Sequence, residues 1–170
     1  MPLRLDADPV LTLRPATRED VPVILRCIRG LAEYERLAHE CVATQADLAA
    51  TLFGDLPAAR VVLAFAGEEP AGFALWFPSY STFLARPGLY LEDLFVFPGF
   101  RGRGVGRRLL GELARTAVDR GYGRVEWSVL DWNTDAIRFY ESVGAVGLSD
   151  WTTFRVTGPA LASLAAGGRS

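Results

Sequence analysis

The hydrophobic residues of this chain recur with two different periods, and the two periods alternate along the sequence. A spacing of three and four residues, typical of helices with one buried face, covers 20–35, 44–54, 105–121 and 133–144. Alternating or continuous apolar runs, typical of strands, cover 10–14, 60–66, 71–77, 89–97, 124–130 and 151–156. We expect a loop over 78–88 and a frayed end over 165–170. The order βααβββαβαβ predicts an α/β fold in which a mixed sheet carries helices on both faces.

Residues that favour helix ends support these boundaries. Pro22 is tolerated only in a first turn, so the first helix is expected to begin near Asp20. Thr44 and Asn133 each precede a periodic segment and are typical N-cap residues. No repeat or long linker interrupts the pattern, so the 170 residues predict a single domain with a core of about 10–157 and a short flexible tail.

Composition narrows the class of protein. Half of the residues are hydrophobic and 22% are charged, which is typical of a globular chain. A formal net charge of −2 gives no overall attraction to nucleic acid or to an anionic membrane. Met1 to Asp6 lacks the apolar core of a secretory leader, and no apolar run reaches the roughly 20 residues that a membrane helix needs. We therefore expect a cytoplasmic protein.

The residues that bind metals or form covalent intermediates are sparse. Cys27 and Cys41 show no CxxC spacing, and they are read as buried or incidental thiols. His39, the single histidine, lies in a polar segment typical of a solvated side chain. No cluster of metal-ligand residues occurs, so no metal is expected. A Gly-x-Ser-x-Gly elbow, which would favour a serine hydrolase, is also absent from the sequence.

The stretch from Tyr90 to Arg108 carries the main candidate chemistry. An apolar strand ends at Pro98, and a turn with three alternate glycines then opens into an amphipathic helix. Unpaired N–H groups at a helix start attract anions, and glycines let the backbone approach a phosphate closely. The clustered arginines 101, 103, 107 and 108 suit a small polyanion. A solvated basic turn is the alternative, whereas a P-loop would require Gly-Lys-Ser/Thr after the glycines.

This stretch resembles the acetyl-CoA motif, Arg/Gln-x-x-Gly-x-Gly/Ala, of the GNAT superfamily of N-acetyltransferases. The motif is Arg101-Gly-Arg-Gly-Val-Gly106, and the order of elements is similar to that fold, whose sheet is mixed and mostly antiparallel. Within the superfamily the chain is most similar to the diamine (spermidine/spermine) and thialysine acetyltransferases. The matching stretches are 14–17, 34–35, 90–93, 95–96, 132–133, 139–140, 144–145, 148–149 and Trp151.

The resemblance implies a site for acetyl-CoA as co-substrate. Backbone groups of Leu94, Phe95 and Val96 would pair with the pantetheine arm, and N–H groups from Gly102 to Arg107 would hold the pyrophosphate. The full set of implied coenzyme residues is Leu94, Phe95, Val96, Arg101, Gly102, Arg103, Gly104, Val105, Gly106, Arg107, Asn133, Asp135, Ala136 and Tyr140. A departure from the pattern is Ser142-Val143, which replaces a basic pair and removes one possible phosphate contact.

Two residues are candidates for moving protons. The resemblance places Tyr140 as the general acid near the coenzyme sulfur, although helical spacing alone would also fit a tyrosine packed on the core. Alkyl amines are protonated at neutral pH, so a base must deprotonate the substrate. Glu92 is the candidate base, because strict alternation puts it on the same face as Tyr90 and puts Asp93 on the other; a structural ion pair is the alternative.

A cationic substrate calls for carboxylates and aromatic rings. The substrate candidates are Tyr34, Glu35, Glu92, Glu126, Trp127, Ser128, Asp150 and Trp151. The segment between Leu148 and Trp151 is shorter than in typical polyamine enzymes, which weakens the case for a polyamine. The amine thus stays open between a polyamine or diamine, a thialysine-type amino acid, an aminoglycoside and a protein amine, and a non-catalytic coenzyme-binding module is a further alternative. The resemblance also implies a homodimer.

Overall fold

The computed structural model describes residues 10–167. Its strands are β1 (Leu11–Pro15), β2 (Arg60–Ala66), β3 (Glu69–Ser81), β4 (Arg86–Val96) and β5 (Val125–Glu126). Its helices are α1 (Val21–Tyr34), α2 (Gln45–Phe53), α3 (Val105–Asp119), α4 (Thr134–Ser142) and α5 (Gly158–Ala165). The predicted N-terminal stretch Met1 to Asp6 and the last three residues of the predicted frayed end lie outside the described residues.

The five strands form one sheet in the order β1-β2-β3-β4-β5. The first three pairings are antiparallel, and β4 pairs with β5 in parallel, so the predicted mixed, mostly antiparallel sheet is confirmed. The pairing of β4 with β5 covers only Leu89 and Tyr90 on β4. Beyond Tyr90 the outer edge of β4 is therefore free of any strand among residues 10–167.

Helices cover both faces of this sheet, as predicted. α1 and α2 pack over one face, where Ile24 and Leu52 join Leu63, Phe73 and Phe95 in a single buried cluster. α3 lies against β2, β3 and β4 with its apolar stripe fully or nearly buried. Because neighbouring residues of a strand face opposite sides, Val62 and Trp76 belong to the α3 face.

The predicted loop over 78–88 is wrong. β3 and β4 continue as a hairpin until Ser81 pairs with Arg86. Pro78 and Pro87 misled the prediction, because proline has no N–H to donate to a sheet. Leu89, opposite Pro78, donates its N–H to Arg124 outside the β3–β4 ladder, and Pro87 accepts a bond from Gly123 on that same side. Both prolines thus occupy positions where the β3–β4 ladder needs no N–H.

The end of the chain also differs from the prediction. Strand β5 has two residues rather than the seven of 124–130, and 151–156 forms no strand. All six residues of 151–156 are exposed, and an extended segment without a neighbouring strand has no partner for its backbone groups. Residues 158–165 form helix α5, so the observed order is βααβββαβαα. The chain divides into two compact units at Leu130/Asp131, each of which we describe by itself.

An ion pair between the exposed Arg14 and the buried Asp20 fixes the start of α1. Asp20 accepts hydrogen bonds from Arg14 Nη1 at 2.7 Å and Nη2 at 2.8 Å, and from the Thr17 backbone N–H at 2.7 Å. The side-chain hydrogen bond from Arg14 is the main cause that lowers the pKa of Asp20 to about 2. This network ties the end of β1 to the first turn of α1, and so sets where the other end of that helix meets the sheet.

Candidate active site

A β-bulge in β4 lies at the centre of the candidate site. Leu75 of β3 pairs with Asp93 and the next residue, Trp76, pairs with Leu91, so Glu92 has no partner in β3. A bulge of this kind inserts one extra residue into a strand and re-aims the side chains around it. Glu92 is exposed at this point.

The bulge changes which side chains share a face. Tyr90 lies opposite Phe77 and stacks on it with ring centroids 5.2 Å apart, and Asp93 lies opposite Leu75. Phe77 and Leu75 are two residues apart in a regular strand, so they share the face under α1. Tyr90 and Asp93 therefore share that face, and the prediction that put Asp93 on the other side from Tyr90 is wrong. Strict alternation fails because the sequence gives no sign of the inserted residue.

Two carboxylates, Glu92 and Glu35, lie close enough to a third, Asp93, to affect its ionisation. Burial is the largest cause that raises the pKa of Asp93 to about 6, and the charges of Glu92 and Glu35 raise it further. Burial also raises the pKa of Glu35, which caps the C-terminal end of α1. Two expected substrate residues are thus brought together with Asp93, which the sequence analysis had set aside. Two adjacent acids in an otherwise apolar strand were the signal that could have identified it.

The outer edge of β4 offers backbone groups to a ligand. Phe97 donates its N–H to Ala71 of β3, and in an antiparallel ladder every second residue bonds in the same direction. Phe95, opposite Phe73, is therefore bonded to β3, whereas the N–H and C=O groups of Leu94 and Val96 point outward. An added strand-like group would pair with Leu94 and Val96, and not with Phe95 as the resemblance had suggested.

Arg101 joins this edge to the end of α1. Its Nε–H donates to the Val96 carbonyl at 2.9 Å. Its guanidinium lies over the ring of Tyr34 at 5.0 Å and over that of Phe95 at 5.7 Å. α1 comes this close because Gly30, one turn before Tyr34, has no side chain: a Cβ there would stand 2.6 Å from the Phe95 ring. Coenzyme and substrate candidates thus meet at Arg101.

The turn before α3 has the conformation of an open cradle. Gly102 and Gly104 adopt φ of +75° and +78°, the left-handed region that favours glycine, and no atom lies within 4 Å of a Cβ built at either residue. Gly104 is the N-cap of α3 and supplies no side chain to the helix start, whose first turn contains no acidic residue. The N–H groups of Val105, Gly106 and Arg107 lack helical acceptors at such a start, so the cradle suits an anion.

The four clustered arginines have different surroundings. Arg101 bonds to Val96, and the Arg103 guanidinium lies 5.9 Å from the centre of the Phe100 ring. Arg108 Nη1 donates to the Leu11 carbonyl of β1 at 2.7 Å, which directs it away from the glycine turn. Arg103 and Arg107 are exposed next to the glycines. The four arginines therefore do not act as one basic cluster. Arg103 and Arg107 remain beside the glycine turn, whereas Arg108 stabilises the fold at the edge of the sheet.

The expected substrate residues after β4 lie along β5 and its continuation. Glu126 forms an ion pair with Arg124, whose Nε is 2.8 Å from Glu126 Oε2. The hydroxyl groups of Ser128 and Tyr90 are hydrogen-bonded at 2.9 Å. Trp127, the residue before Ser128, is half-buried. Ser128 is thereby linked to the face that carries Tyr90 and Asp93, whereas Glu126 already has a cationic partner.

The remaining candidates belong to the second unit. Asn133 caps α4 by accepting a hydrogen bond from the Ala136 N–H at 3.3 Å, as predicted, and Asp135 pairs with Arg138 at 2.6 Å. Tyr140 is half-buried on α4, and its ring centroid is 5.3 Å from that of Phe139. The other two, Asp150 and Trp151, are exposed. Each of these residues thus has a defined place within its own unit.

Residues 10–167 contain no candidate metal site and no candidate membrane span. No group of three His, Cys, Asp or Glu side chains there is arranged to hold a metal ion. None of the helices in this range is both long enough and apolar enough to cross a membrane.

The family model and the similar proteins all point to one family. The model of the acetyltransferase (GNAT) family matches residues 28–145, well over half of the chain. An L-ornithine N5-acetyltransferase of Arabidopsis thaliana is 36% identical over 89% of this chain and 86% of its own length. A thialysine N-epsilon-acetyltransferase of Bos taurus is 37% identical over 90% of this chain and 96% of its own length.

The fold comparison agrees with the sequence comparison. A Vibrio cholerae integron cassette protein superposes with a TM-score of 0.77 at 24% identity, covering 91% of this chain and 97% of its own. At that identity the likeness supports the fold alone. The predicted fold class and the resemblance to the thialysine and spermidine/spermine branch are confirmed by the family match and by the relatives.

Proposed function

Since this chain belongs to the acetyltransferase (GNAT) family and is an N-acetyltransferase that uses acetyl-CoA, we propose that its acceptor is the primary amine of a small cationic molecule. The acceptor class comprises diamines, polyamines and basic amino acids of the thialysine type. The relatives named for ornithine and thialysine support this class, because both compounds carry a side-chain amine and a second amino group.

The observation that carries the proposal is the group of Glu35, Glu92 and Asp93. Burial and then the charges of Glu92 and Glu35 raise the pKa of Asp93, and a bound ammonium group would relieve the repulsion that Asp93 experiences. In the binding mode that we propose, Asp93 and Glu35 attract one positive charge of the substrate. The exposed Glu92 then receives the proton that the attacking amine must lose.

Acetyl-CoA fits the residues of the cradle and of the β4 edge. The outward N–H and C=O groups of Leu94 and the N–H of Val96 would hold the pantetheine arm. The glycine turn would take the pyrophosphate on the N–H groups of Val105, Gly106 and Arg107, with Arg103 adding charge. Asn133, Asp135, Ala136 and Tyr140, which belong to the second unit, are the remaining coenzyme residues that the family resemblance implies. The co-substrate supplies the activated acetyl group.

Direct transfer in a ternary complex is the proposed route. An enzyme-bound acetyl group would need a reactive thiolate, but Cys27 is fully buried and burial raises its pKa to about 12. In the direct route Tyr140 donates a proton to the leaving thiolate. Cys41 is half-buried in the segment between α1 and α2.

We also propose a homodimer in the cytoplasm. The segment 146–156 exposes large apolar side chains, among them Trp151 at 80% and Phe154 at 92%. Surfaces of this kind are typical of protein contacts, and a second copy of the chain could supply the neighbour that 151–156 lacks. The proposed location follows from two unpaired cysteines, and the net charge of −2 favours no nucleic-acid or membrane partner.

A panel of amines tests the acceptor class. Putrescine, spermidine, ornithine, thialysine, an aminoglycoside and propylamine are each supplied with acetyl-CoA, and the release of free thiol is measured. We expect kcat/KM for at least one diamine or basic amino acid to exceed that for propylamine by tenfold or more. Replacing Asp93 by Asn should reduce this preference. Equal rates with propylamine would contradict the proposed cationic pocket.

Tyr140→Phe tests the proposed acid. Loss of the hydroxyl should lower kcat by about 100-fold, within the range for general acids, while the affinity for acetyl-CoA changes little. Tyr80→Phe is the matched control, because Tyr80 is 62% exposed on the β3–β4 hairpin. Unchanged turnover in Tyr140→Phe would remove this residue from the mechanism.

A further inference from the structure

A second cleft lies beside the C-terminal half of α3, remote from the glycine turn. Its volume is about 650 Å³, within the range of sites for small molecules. α3 has 15 residues and so spans about 22 Å at 1.5 Å per residue. The coenzyme cradle is at its N-terminal end, whereas the cleft is lined by Glu112, Thr116 and Arg120 toward its other end. The two sites are therefore separate.

Arginines dominate the charge of this cleft. Its lining includes Arg14, Arg18, Arg60, Arg120 and a single acid, Glu112. Arg14 is neutralised by Asp20, and Glu112 by Arg115. Among the residues that the structure describes, none forms an ion pair with any of the other three arginines. Three positive charges thus line one concavity without an ion-pair partner among residues 10–167. Arg18 has a nearby acid, Glu19, whose pKa is lowered by a hydrogen bond with Thr17 and also by the charge of Arg18.

Arg60 and Arg120 are both placed next to Trp76, the first by the strand register and the second by a contact with the ring. Arg60 pairs directly opposite Trp76 in the β2–β3 ladder, so both side chains project from the α3 face. The Arg120 guanidinium lies 5.3 Å from the centre of the Trp76 ring. Trp76 itself is buried at 3% exposure, so the ring orients Arg120 while both guanidinium groups stay exposed.

Arg18 lines the cleft near the end of α2. Its Nη1 donates to the Phe53 carbonyl at the end of α2 at 3.2 Å, which holds the guanidinium while leaving its other N–H groups available. Between the arginines the lining is apolar, with Leu13, Leu52 and Val62. Planar guanidinium groups match phosphate and carboxylate oxygens in pairs.

We infer that this cleft binds a small polyanion, a phosphorylated or polycarboxylate molecule, at a site distinct from that of acetyl-CoA. Like charges gathered in a concavity repel one another, and an anion with two or more charges removes that repulsion. Arg60 and Arg120 contact the ligand from the sheet and from α3, and Arg18 contacts it from the end of α2.

The test uses the full chain with its coenzyme cradle saturated by desulfo-coenzyme A. Tripolyphosphate and ATP are then titrated calorimetrically at low salt, where exposed charges are least screened. We expect at least one probe to bind, and Arg60→Gln and Arg120→Gln each to weaken that binding at least fivefold. Arg29→Gln, which removes an exposed arginine of α1 outside the cleft, should bind as the wild type does.

Two results would overturn the inference: no binding of either probe once the cradle is saturated, or equal weakening in Arg29→Gln and Arg60→Gln. Thermal unfolding of each variant checks that it is folded. Arg60 is exposed and makes no ion pair with residues 10–167, so Arg60→Gln carries the test even if Arg120→Gln loses stability with its ring contact.

Discussion

Asp93 is a carboxyl group that burial, and after it the charges of Glu92 and Glu35, make harder to ionise. Its pKa is raised to about 6, whereas Asp20 of the same unit, held by Arg14, has a pKa of about 2. The two aspartates show that different surroundings can give the same residue type different pKa values and different roles. Asp20 stabilises the fold when charged, and Asp93 destabilises it when charged, which is typical of a residue retained for binding or catalysis.

This difference predicts how Asp93→Asn changes stability with pH. A folded pKa of about 6, above the unfolded value near 3.9, means that the wild type loses stability as the pH rises from about 4 through 6. Asp93→Asn should therefore be more stable than the wild type at pH 8, by on the order of 2 kcal/mol, and no more stable at pH 4. Urea denaturation at both pH values measures this.

Glu68→Gln is the control, because its exposed carboxyl in the turn between β2 and β3 does not act on Asp93 and should change stability by less than about 0.5 kcal/mol at either pH. An Asp93→Asn variant that matched the wild type at pH 8 would show that the burial of this carboxyl is without energetic consequence.

At the scale of elements, the sequence predicted those features that one segment determines alone. The glycine turn and α3 are as predicted because left-handed glycines and an apolar stripe at helical spacing act locally. The bulge at Glu92, the prolines inside the hairpin and the missing strand 151–156 depend on neighbouring strands. Periodicity cannot reveal an extra residue that only the register of β3 against β4 defines.

Alanine substitutions at two glycines of α3 are predicted to change stability in opposite directions. Gly104→Ala puts a side chain at φ +78° and should destabilise the protein by about 1 kcal/mol, while weakening acetyl-CoA binding at the cradle. Gly111→Ala lies on the exposed side of α3 with open space around it, and should stabilise by about 0.5–1 kcal/mol. Urea denaturation and coenzyme titration of both variants measure this. Equal coenzyme affinities would argue against the cradle.

Within the whole molecule, exposed large apolar side chains are more closely spaced along the second unit than along the first. Large apolar side chains of 146–156 are exposed, whereas the first unit buries most of its own in the clusters beneath α1 and α3. A predicted strand without a neighbour and a run of exposed aromatic residues coincide in one segment. A second chain that covers this segment would explain both features.

Sedimentation tests this proposal. We expect the wild type to be a dimer at micromolar concentration and a Trp151→Ser/Phe154→Ser variant to be a monomer. Phe83→Ser is the control, since Phe83 is 98% exposed at the tip of the β3–β4 hairpin and should leave the dimer intact. A wild type that sediments as a monomer, or dissociation caused equally by Phe83→Ser, would contradict the proposed contact.

The bulge also makes the register of β4 against β3 part of what defines the acidic site. In a regular strand, side chains three positions apart face opposite ways, yet Tyr90 and Asp93 share a face. A relative that kept both residues at this spacing in a regular strand, without the bulge, would place the acid on the α3 face, away from Glu35. The register of β4 against β3 would therefore separate relatives that keep this charged pocket from relatives that merely keep its residues.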